Sequence, residues 1–218
     1  MRRLPFRTDS ERAASLPEVL EHLRQDRIIA YPTETVYGFG GRITAAATAR
    51  LRELKRREAA RPFLLLVHHA GQAPEMQWND TAHTLARLFW PGPLTIALPA
   101  VGGALPVGIV SAAGYVAVRA SPHRAPLAIG DALGEGITST SANAPGEPPA
   151  RHAAEVTRAL EALEAEDVLV LDGGELPPSA PSTVVECGDG RIRLLRAGAI
   201  TPDALREQLL GSGIDVVE

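Results

Sequence analysis

The chain has 218 residues, of which 45% are hydrophobic and 22% charged, and its formal net charge is −4. These values are typical of a folded globular protein and exclude a disordered chain or a polycation that coats nucleic acid. The single cysteine, Cys187, excludes a disulfide framework, and no apolar run reaches the length of a membrane span or a secretory signal. We therefore expect a cytoplasmic protein that folds as one domain, with at most a small appendage.

Helix-like and strand-like segments alternate along the chain. Helices are predicted at Ser15–Gln25, Thr44–Arg57, Asp80–Trp90, Ala125–Leu133, Ala153–Glu164 and Thr201–Leu210. Strands are predicted at Arg27–Tyr31, Phe63–His68, Leu94–Leu98, Tyr115–Arg119, Gly136–Thr140, Val168–Leu171, Ser182–Cys187 and Arg191–Leu195. Crossover connections and one terminal hairpin, turning at Gly188–Gly190, predict an α/β (α+β) fold, a mixed twisted sheet with flanking helices.

Lys55 is the only lysine among the 22 basic residues of the chain. An ammonium is a compact point charge that suits phosphate, so we interpret Lys55 as a functional residue. The alternative is a cation placed at the end of a predicted helix, where it interacts favourably with the helix dipole. Arg57 lies two residues further on, and the two side chains converge on one ligand only if the helix frays before Arg61.

Hydroxyl groups and arginines are concentrated at strand ends. Two threonines and a carboxylate follow the first predicted strand, within Tyr31–Gly41. Strand alternation puts Ser139 and Ser141 on one side, and Arg119 and Arg196 each end a short strand. The alternative interpretation is a set of locally bonded turns and surface ion pairs. No motif of a protein nucleophile, a zinc protease or a Walker A loop is present, which favours binding of anions and catalysis by charge stabilisation.

The segment Tyr31-Pro32-Thr33-Glu34-Thr35-Val36-Tyr37-Gly38 resembles the opening signature of the threonylcarbamoyl-AMP synthase family, the YrdC-like domain. Further motifs follow in the order of the family: Lys55-x-Arg57, Arg61-Pro62, Trp90-Pro91-Gly92-Pro93-Leu94-Thr95, Val118-Arg119, Thr140-Ser141-Ala142-Asn143, Pro181-Ser182-Thr183-Val184-Val185 and Arg196-Ala197-Gly198-Ala199-Ile200. The resemblance implies a YrdC-like catalytic domain at 27–200. Residues 1–26 would be an N-terminal extension with the first helix, part of the same domain, and residues 201–218 a C-terminal helix and tail. The additional C-terminal domain of longer family members is expected to be absent.

The resemblance also implies an activity, in which L-threonine, bicarbonate and ATP give threonylcarbamoyl-AMP and pyrophosphate. It implies threonine contacts at Thr33, Arg119, Ser139 and Ser182 and nucleotide phosphate contacts at Lys55, Arg57, Ser141 and Arg196. It further implies contributions from Thr35, Arg61, Asn143 and Thr183. Magnesium would arrive with ATP, with no protein ligand assigned. The product would feed the tRNA threonylcarbamoyl transferase machinery, and direct tRNA binding stays open.

Two alternatives remain: an RNA-binding module of the same fold, and a paralogue with a different carbamoyl or acyl substrate. The isoelectric point near 5.9 and the aromatic content of 4% speak against an RNA-binding module. Two positions depart from the family pattern. Pro145 removes a hydroxyl that the family commonly has before Gly146, and Tyr115 replaces a smaller residue.

Overall fold

The computed structural model describes residues 1–56, 61–103 and 105–217. The helices in these ranges are α1 (Asp9–Arg24), α2 (Ala45–Leu54), α3 (Asp80–Phe89), α4 (Arg124–Leu133), α5 (Ala153–Ala162) and α6 (Pro202–Gln208). The strands are β1 (Arg2–Pro5), β2 (Ile28–Pro32), β3 (Tyr37–Gly40), β4 (Leu64–Leu66), β5 (Leu94–Pro99), β6 (Tyr115–Arg119), β7 (Ile137–Ser141), β8 (Val168–Asp172), β9 (Thr183–Cys187), β10 (Arg191–Arg196) and β11 (Asp215–Val217). Within the described ranges, no helix is both long and apolar enough to cross a bilayer.

The strands form one mixed sheet in the order β1-β8-β2-β3-β7-β4-β6-β5-β9-β10-β11, which confirms the predicted fold class. The predicted hairpin is also confirmed, because β9 pairs antiparallel with β10. Strand β2 shows how the sheet is covered. Ile28 and Ala30 belong to a core shared with α2, α3 and α5, whereas Ile29 and Tyr31 pack with α1 and α4 on the other face.

The first helix begins earlier than the sequence pattern predicts. The Thr8 hydroxyl accepts a hydrogen bond from the Glu11 amide, and the Glu11 carboxylate accepts one from the Thr8 amide. This reciprocal cap starts α1 at Asp9, six residues before the predicted Ser15. The second helix is capped by Thr44, as predicted, and ends at Leu54 with Lys55 as its C-cap.

Strand β7 is the corner at which the sheet turns. Its last two residues pair with β3, through Gly38↔Ser141 and Phe39↔Thr140. Its first three residues pair with β4, through Leu64↔Ser139 to Leu66↔Ile137. The two halves of the sheet therefore share one short strand, and the end of β3 approaches it closely. A Cβ atom on Gly40 would lie only 1.9 Å from the Thr138 carbonyl oxygen, so this close approach requires glycine.

The close approach of β3 to β7 predicts that Gly40→Ala destabilises the protein. The added methyl group would meet backbone, which cannot move aside as a flexible side chain can, so we expect the free energy of unfolding to fall by about 1–3 kcal/mol. Urea denaturation measures the change.

Gly103→Ala is the matched control, because a Cβ atom on Gly103 would have no atom of the described residues within 4 Å beyond its chain neighbours. We expect its free energy of unfolding to stay within about 0.5 kcal/mol of the wild type. Equal stability of the two variants would contradict the close approach of β3 to β7.

Candidate functional site

The turn between β2 and β3 is held in shape by its own threonines. The Thr33 hydroxyl donates to the Val36 carbonyl oxygen at 2.7 Å and accepts from the Thr35 amide at 3.2 Å. Its oxygen also lies 3.1 Å from the Thr35 hydroxyl, and both side chains are buried. Both threonines therefore stabilise a tight turn that presents the side chain between them, Glu34.

Glu34 forms an ion pair with Arg119, which ends β6. Its Oε1 accepts from Arg119 Nη1 at 2.7 Å, and its Oε2 accepts from the Ser121 hydroxyl. The Arg119 side chain is only 4% exposed, against 19% for Glu34. Burial lowers the pKa of Arg119 from its ordinary value, and the Glu34 charge opposes that shift. Within the described ranges, the buried Nε of Arg119 has no hydrogen-bond acceptor.

A second arginine, Arg196, lies against Ser182 at the same edge of the sheet. Its Nη2 donates to the Ser182 carbonyl oxygen at 2.8 Å and to the Ser182 hydroxyl at 3.1 Å. That hydroxyl also lies 2.9 Å from the Thr95 hydroxyl. Burial and then the charge of Arg119 lower the pKa of Arg196. The charges of the two guanidinium groups thus interact, and one carboxylate, Glu34, is paired with Arg119. This leaves a local positive charge that favours binding of an anion.

The segments around Ser182 and Arg196 are joined by Thr183. Its hydroxyl donates to the Ile200 carbonyl oxygen at 2.6 Å and accepts from the Ile200 amide at 3.0 Å. Thr183 is fully buried. Gly198 lies close to the same segment, since a Cβ there would meet the Pro181 carbonyl oxygen at 2.2 Å. These contacts hold the motif at Pro181–Val185 against the motif at Arg196–Ile200.

Lys55 reaches from the end of α2 to the end of β7. Its Nζ donates to the carbonyl oxygens of Ser141 and Asn143 at 2.9 and 2.6 Å and to Asn143 Oδ1 at 2.9 Å. The Ser141 hydroxyl donates to the same Oδ1 at 2.6 Å. The structure therefore brings together two residues of the predicted nucleotide site, Lys55 and Ser141, with Asn143, for which a further contribution was predicted; we call these three residues the lysine cluster. A favourable interaction with the helix dipole does not account for these contacts.

Ser139 connects the lysine cluster to the arginines. Strand alternation puts it on the same face as Ser141, and consecutive residues of one face are about 7 Å apart. Tyr31 interacts through its hydroxyl with Ser139 and electrostatically with Arg119. The Tyr31 hydroxyl also donates to the Thr138 carbonyl oxygen at 3.1 Å, and burial raises its pKa. Tyr31 thus places Ser139 next to the Arg119 end of the site. We call Glu34, Arg119, Ser182 and Arg196 the arginine cluster.

The remaining predicted residues are placed as follows. Arg57 lies outside the described residues, and Arg61 is exposed. Arg196 was predicted among the nucleotide contacts, but it lies against Ser182, a predicted threonine contact. Glu34 was not predicted as a site residue; the signal was available, because it is the one carboxylate of the signature that follows the first strand. The described ranges contain no group of three His, Cys, Asp or Glu side chains that could hold a metal ion.

A cleft of about 530 Å³ opens beside the lysine cluster, lined by Asn143, Pro149 and Arg151 and by Arg158 and Ala162 of α5, among others. Its volume lies in the range of small-molecule sites, roughly 300–1,000 Å³. A second cleft, of about 510 Å³, lies between α6 and β11. The second cleft contains none of the predicted site residues, so we place the candidate site at the first cleft and β7.

The fold and the two clusters define an α/β protein with a site for anionic ligands. The sequence model of one protein family, described as telomere recombination and covering the Sua5, YciO and YrdC proteins, matches residues 21–198. The threonylcarbamoyl-AMP synthase of Thiobacillus denitrificans is 35% identical over 188 residues, which cover 85% of this chain and 97% of that protein. The chain therefore belongs to the Sua5/YciO/YrdC family.

Longer relatives match as well. The threonylcarbamoyl-AMP synthase of Bacillus subtilis is 35% identical over 192 residues, which cover 87% of this chain but only 54% of that relative. The crystal structure of P. abyssi Sua5 complexed with L-threonine superposes with a TM-score of 0.84 at 28% identity, over 99% of this chain and 62% of that chain. The chain thus spans between half and two thirds of these two proteins. E. coli YciO, at 23% identity and a TM-score of 0.79, shows the same fold.

The contacts of Thr183 predict that it stabilises the site rather than binding a ligand directly. Thr183→Val keeps the shape but leaves the Ile200 amide and carbonyl without this partner, so we expect the free energy of unfolding to fall by about 1–3 kcal/mol. Chemical denaturation measures the loss.

Thr157→Val is the control, because the Thr157 hydroxyl donates only within its own helix, to Ala153. We expect a change below about 0.5 kcal/mol there. A Thr183→Val protein as stable as the wild type would instead support the ligand contact predicted from the sequence.

Proposed function

We propose that the chain is a threonylcarbamoyl-AMP synthase, which converts L-threonine, bicarbonate and ATP into threonylcarbamoyl-AMP and pyrophosphate. The single observation that carries the proposal is the pair of cationic clusters joined by β7, one around Arg119 and one around Lys55. The relatives named threonylcarbamoyl-AMP synthase support it, because they match most of this chain at about a third identity. Two clusters suit a reaction that must hold two anionic substrates side by side despite their repulsion.

The amino acid is proposed to bind at the arginine cluster. A carboxylate accepts paired hydrogen bonds from a guanidinium, and the orphaned Nε of Arg119 is a donor without an acceptor among the described residues. Ser182 and Ser139 add hydroxyl groups at 6% exposure each. Thr33 and Thr35 contribute by fixing the turn that carries Glu34. Burial strengthens each of these interactions, because water competes less for the same groups.

The nucleotide is proposed to bind at the lysine cluster, with Arg57, Arg61 and Arg196 contributing further positive charge. Asn143 belongs to the cluster and also lines the 530 Å³ cleft, so phosphates at Lys55 place the rest of the nucleotide at that cleft. Magnesium would enter with ATP, since Mg²⁺ is usually held by substrate phosphates, water and one or two protein oxygens. The hydroxyl of Ser141 and the carboxamide of Asn143 are oxygen donors of the kind that Mg²⁺ accepts.

The chemistry needs no protein nucleophile. The amine of threonine and bicarbonate give a carbamate and water, and a carbamate oxygen then attacks the α-phosphorus of ATP. An O–P bond forms, the bond between the α-phosphorus and the bridging oxygen breaks, and pyrophosphate leaves. The proposed work of the protein is to hold the two anions in reach of each other and to exclude water, which protects the labile carbamate and the mixed anhydride.

The proposed product is passed to a tRNA threonylcarbamoyl transferase. The described site residues lie between Thr33 and Arg196, which supports a catalytic unit at 27–200 flanked by 1–26 and 201–218. Pyrophosphate release with and without L-threonine tests the activity and its alternatives. We expect release that requires threonine and bicarbonate. An RNA-binding module would release none, and a paralogue with another substrate would not respond to threonine.

The placement of Arg119 predicts that Arg119→Lys weakens threonine binding selectively. Lysine keeps the charge but loses the paired geometry, so we expect the dissociation constant for threonine to rise about 10- to 150-fold. The constant for ATP should change by less than about threefold, because Lys55 is unaffected. Titration calorimetry with each ligand measures both, and equal losses for the two ligands would contradict the assignment.

The geometry of the lysine cluster predicts that Lys55→Arg lowers pyrophosphate release by more than about tenfold. Three oxygens converge on one nitrogen in the wild type, whereas a guanidinium spreads its donors over a plane. Arg52→Lys, the reverse exchange in α2, is the control and should leave release unchanged, because Arg52 contacts the Val107 carbonyl oxygen. Wild-type turnover and ATP affinity in Lys55→Arg would contradict this role. They would instead support the alternative interpretation, in which Lys55 is a cation that interacts with the dipole of α2.

A further inference from the structure

Glu34 is the group in the arginine cluster that the proposed function leaves without a task. It is a carboxylate in a site proposed to bind anions, where a second negative charge would ordinarily weaken binding. Its position is nevertheless firmly held. The turn of Thr33 and Thr35 presents it, Ser121 donates to one of its oxygens, and Arg119 pairs with the other at 2.7 Å.

A free amino acid carries both charges on one carbon atom, an ammonium and a carboxylate. The ion pair of Glu34 and Arg119 presents the two complementary charges side by side, a carboxylate for the ammonium and a guanidinium for the carboxylate. We propose that Glu34 binds the α-ammonium of the amino acid substrate while Arg119 binds its carboxylate, and that Glu34 then accepts the proton that makes the amine nucleophilic. This inference rests on the proposed function and names the group that activates the substrate amine.

Two observations besides the ion pair support this assignment. Arg119 Nε is a buried donor with no acceptor among the described residues, so the guanidinium has a contact to offer beyond Glu34. The Arg196 guanidinium adds positive charge to the cluster. A substrate carboxylate can therefore be accommodated at the arginines without expelling Glu34. The ammonium that comes with it then needs an anionic partner, and Glu34 is next to Arg119.

The proton transfer balances without a further reagent. An N–H bond of the ammonium breaks, an O–H bond forms on Glu34, and the nitrogen lone pair becomes free to attack the carbon of bicarbonate. Glu34 is 19% exposed, so its carboxylic acid can return the proton to water and regenerate the carboxylate. The surrounding charges are Arg119 and the imidazole of His123, whose pKa is lowered by burial with Glu34 opposing the shift.

The test uses Glu34→Gln, which keeps the size of the side chain and one of its two acceptor oxygens but removes its charge. Binding is measured by calorimetry with L-threonine and with the hydroxy acid in which a hydroxyl replaces the ammonium. We expect the wild type to prefer threonine by at least about tenfold. In Glu34→Gln, threonine should bind about 10- to 100-fold more weakly and the hydroxy acid within about twofold of its wild-type value. Turnover at saturating threonine should also fall, because the proton acceptor is lost.

Glu186→Gln is the matched control. Glu186 pairs with Arg193 at 2.8 Å and is 22% exposed, close to the 19% of Glu34, but it lies on the β9–β10 hairpin with its pair outside both clusters. Its variant should bind both ligands and turn over as the wild type does.

Three results would overturn the inference. These are equal weakening of both ligands in Glu34→Gln, no change in either, or a wild type that binds the hydroxy acid as well as threonine. The last measurement needs no variant, so it can overturn the inference even where Glu34→Gln does not fold. Failure of the proposed function is a separate outcome, seen as a wild type that releases no pyrophosphate in response to threonine.

Discussion

The pairing of β7 with both β3 and β4 is the constraint on which the site depends. Strands β2 and β6 run in opposite directions, and four strand steps separate them in the sheet order. In a flat sheet their C-terminal ends would lie at opposite edges and about 19 Å apart across the strands. Glu34 follows one end and Arg119 forms the other, yet their side chains touch. The contact exists because β7 pairs with β3 through one half and with β4 through the other, which turns the sheet on itself.

The charged groups that this bend of the sheet brings together lower the stability of the folded protein. Burying the Arg119 guanidinium together with most of the Glu34 carboxylate loses hydration, and apolar residues of similar size commonly stabilise a protein as well or better. The direction of the pKa shifts reflects this cost, since burial lowers the pKa of both Arg119 and Arg196. A ligand that carries a carboxylate relieves part of it. The unliganded site is therefore electrostatically unfavourable. An anion that binds there relieves this cost, and the relief adds to its binding free energy.

Most of the fold could be predicted from the sequence, because the elements with a clear hydrophobic period and a cap were found within a few residues of their ends. The three strands that were missed have local sequences without such a signal. β3 is glycine-rich and follows a polar turn, so its sequence resembles a loop. β1 and β11 are edge strands of four and three residues that pair in parallel with distant segments, β8 and β10.

The site residues were predictable as residue types and through family motifs, but their grouping was not. Sequence order separates Ser182 from Arg196 by a hairpin, and only the pairing of β9 with β10 brings them together. Glu34 stood out in the sequence as the one carboxylate of its signature, but its pairing with Arg119 could not be predicted, because Arg119 is 85 residues away along the chain. The roles of the site residues and the domain limits remain predictions.

The two clusters share a physical feature that bears on how a ligand enters. Lys55 and Arg119 are both already held by oxygens of the protein, Lys55 by the uncharged oxygens of Ser141 and Asn143 and Arg119 by the carboxylate of Glu34. In the proposed binding mode, a phosphate that approaches Lys55 would replace an oxygen such as Asn143 Oδ1, which the Ser141 hydroxyl also holds. Exchanging one oxygen for another avoids exposing a bare charge at any step, and the cations stay fixed in place before the substrates arrive. Positions fixed in advance are what a reaction without a protein nucleophile requires, since orientation and charge are then its main sources of rate.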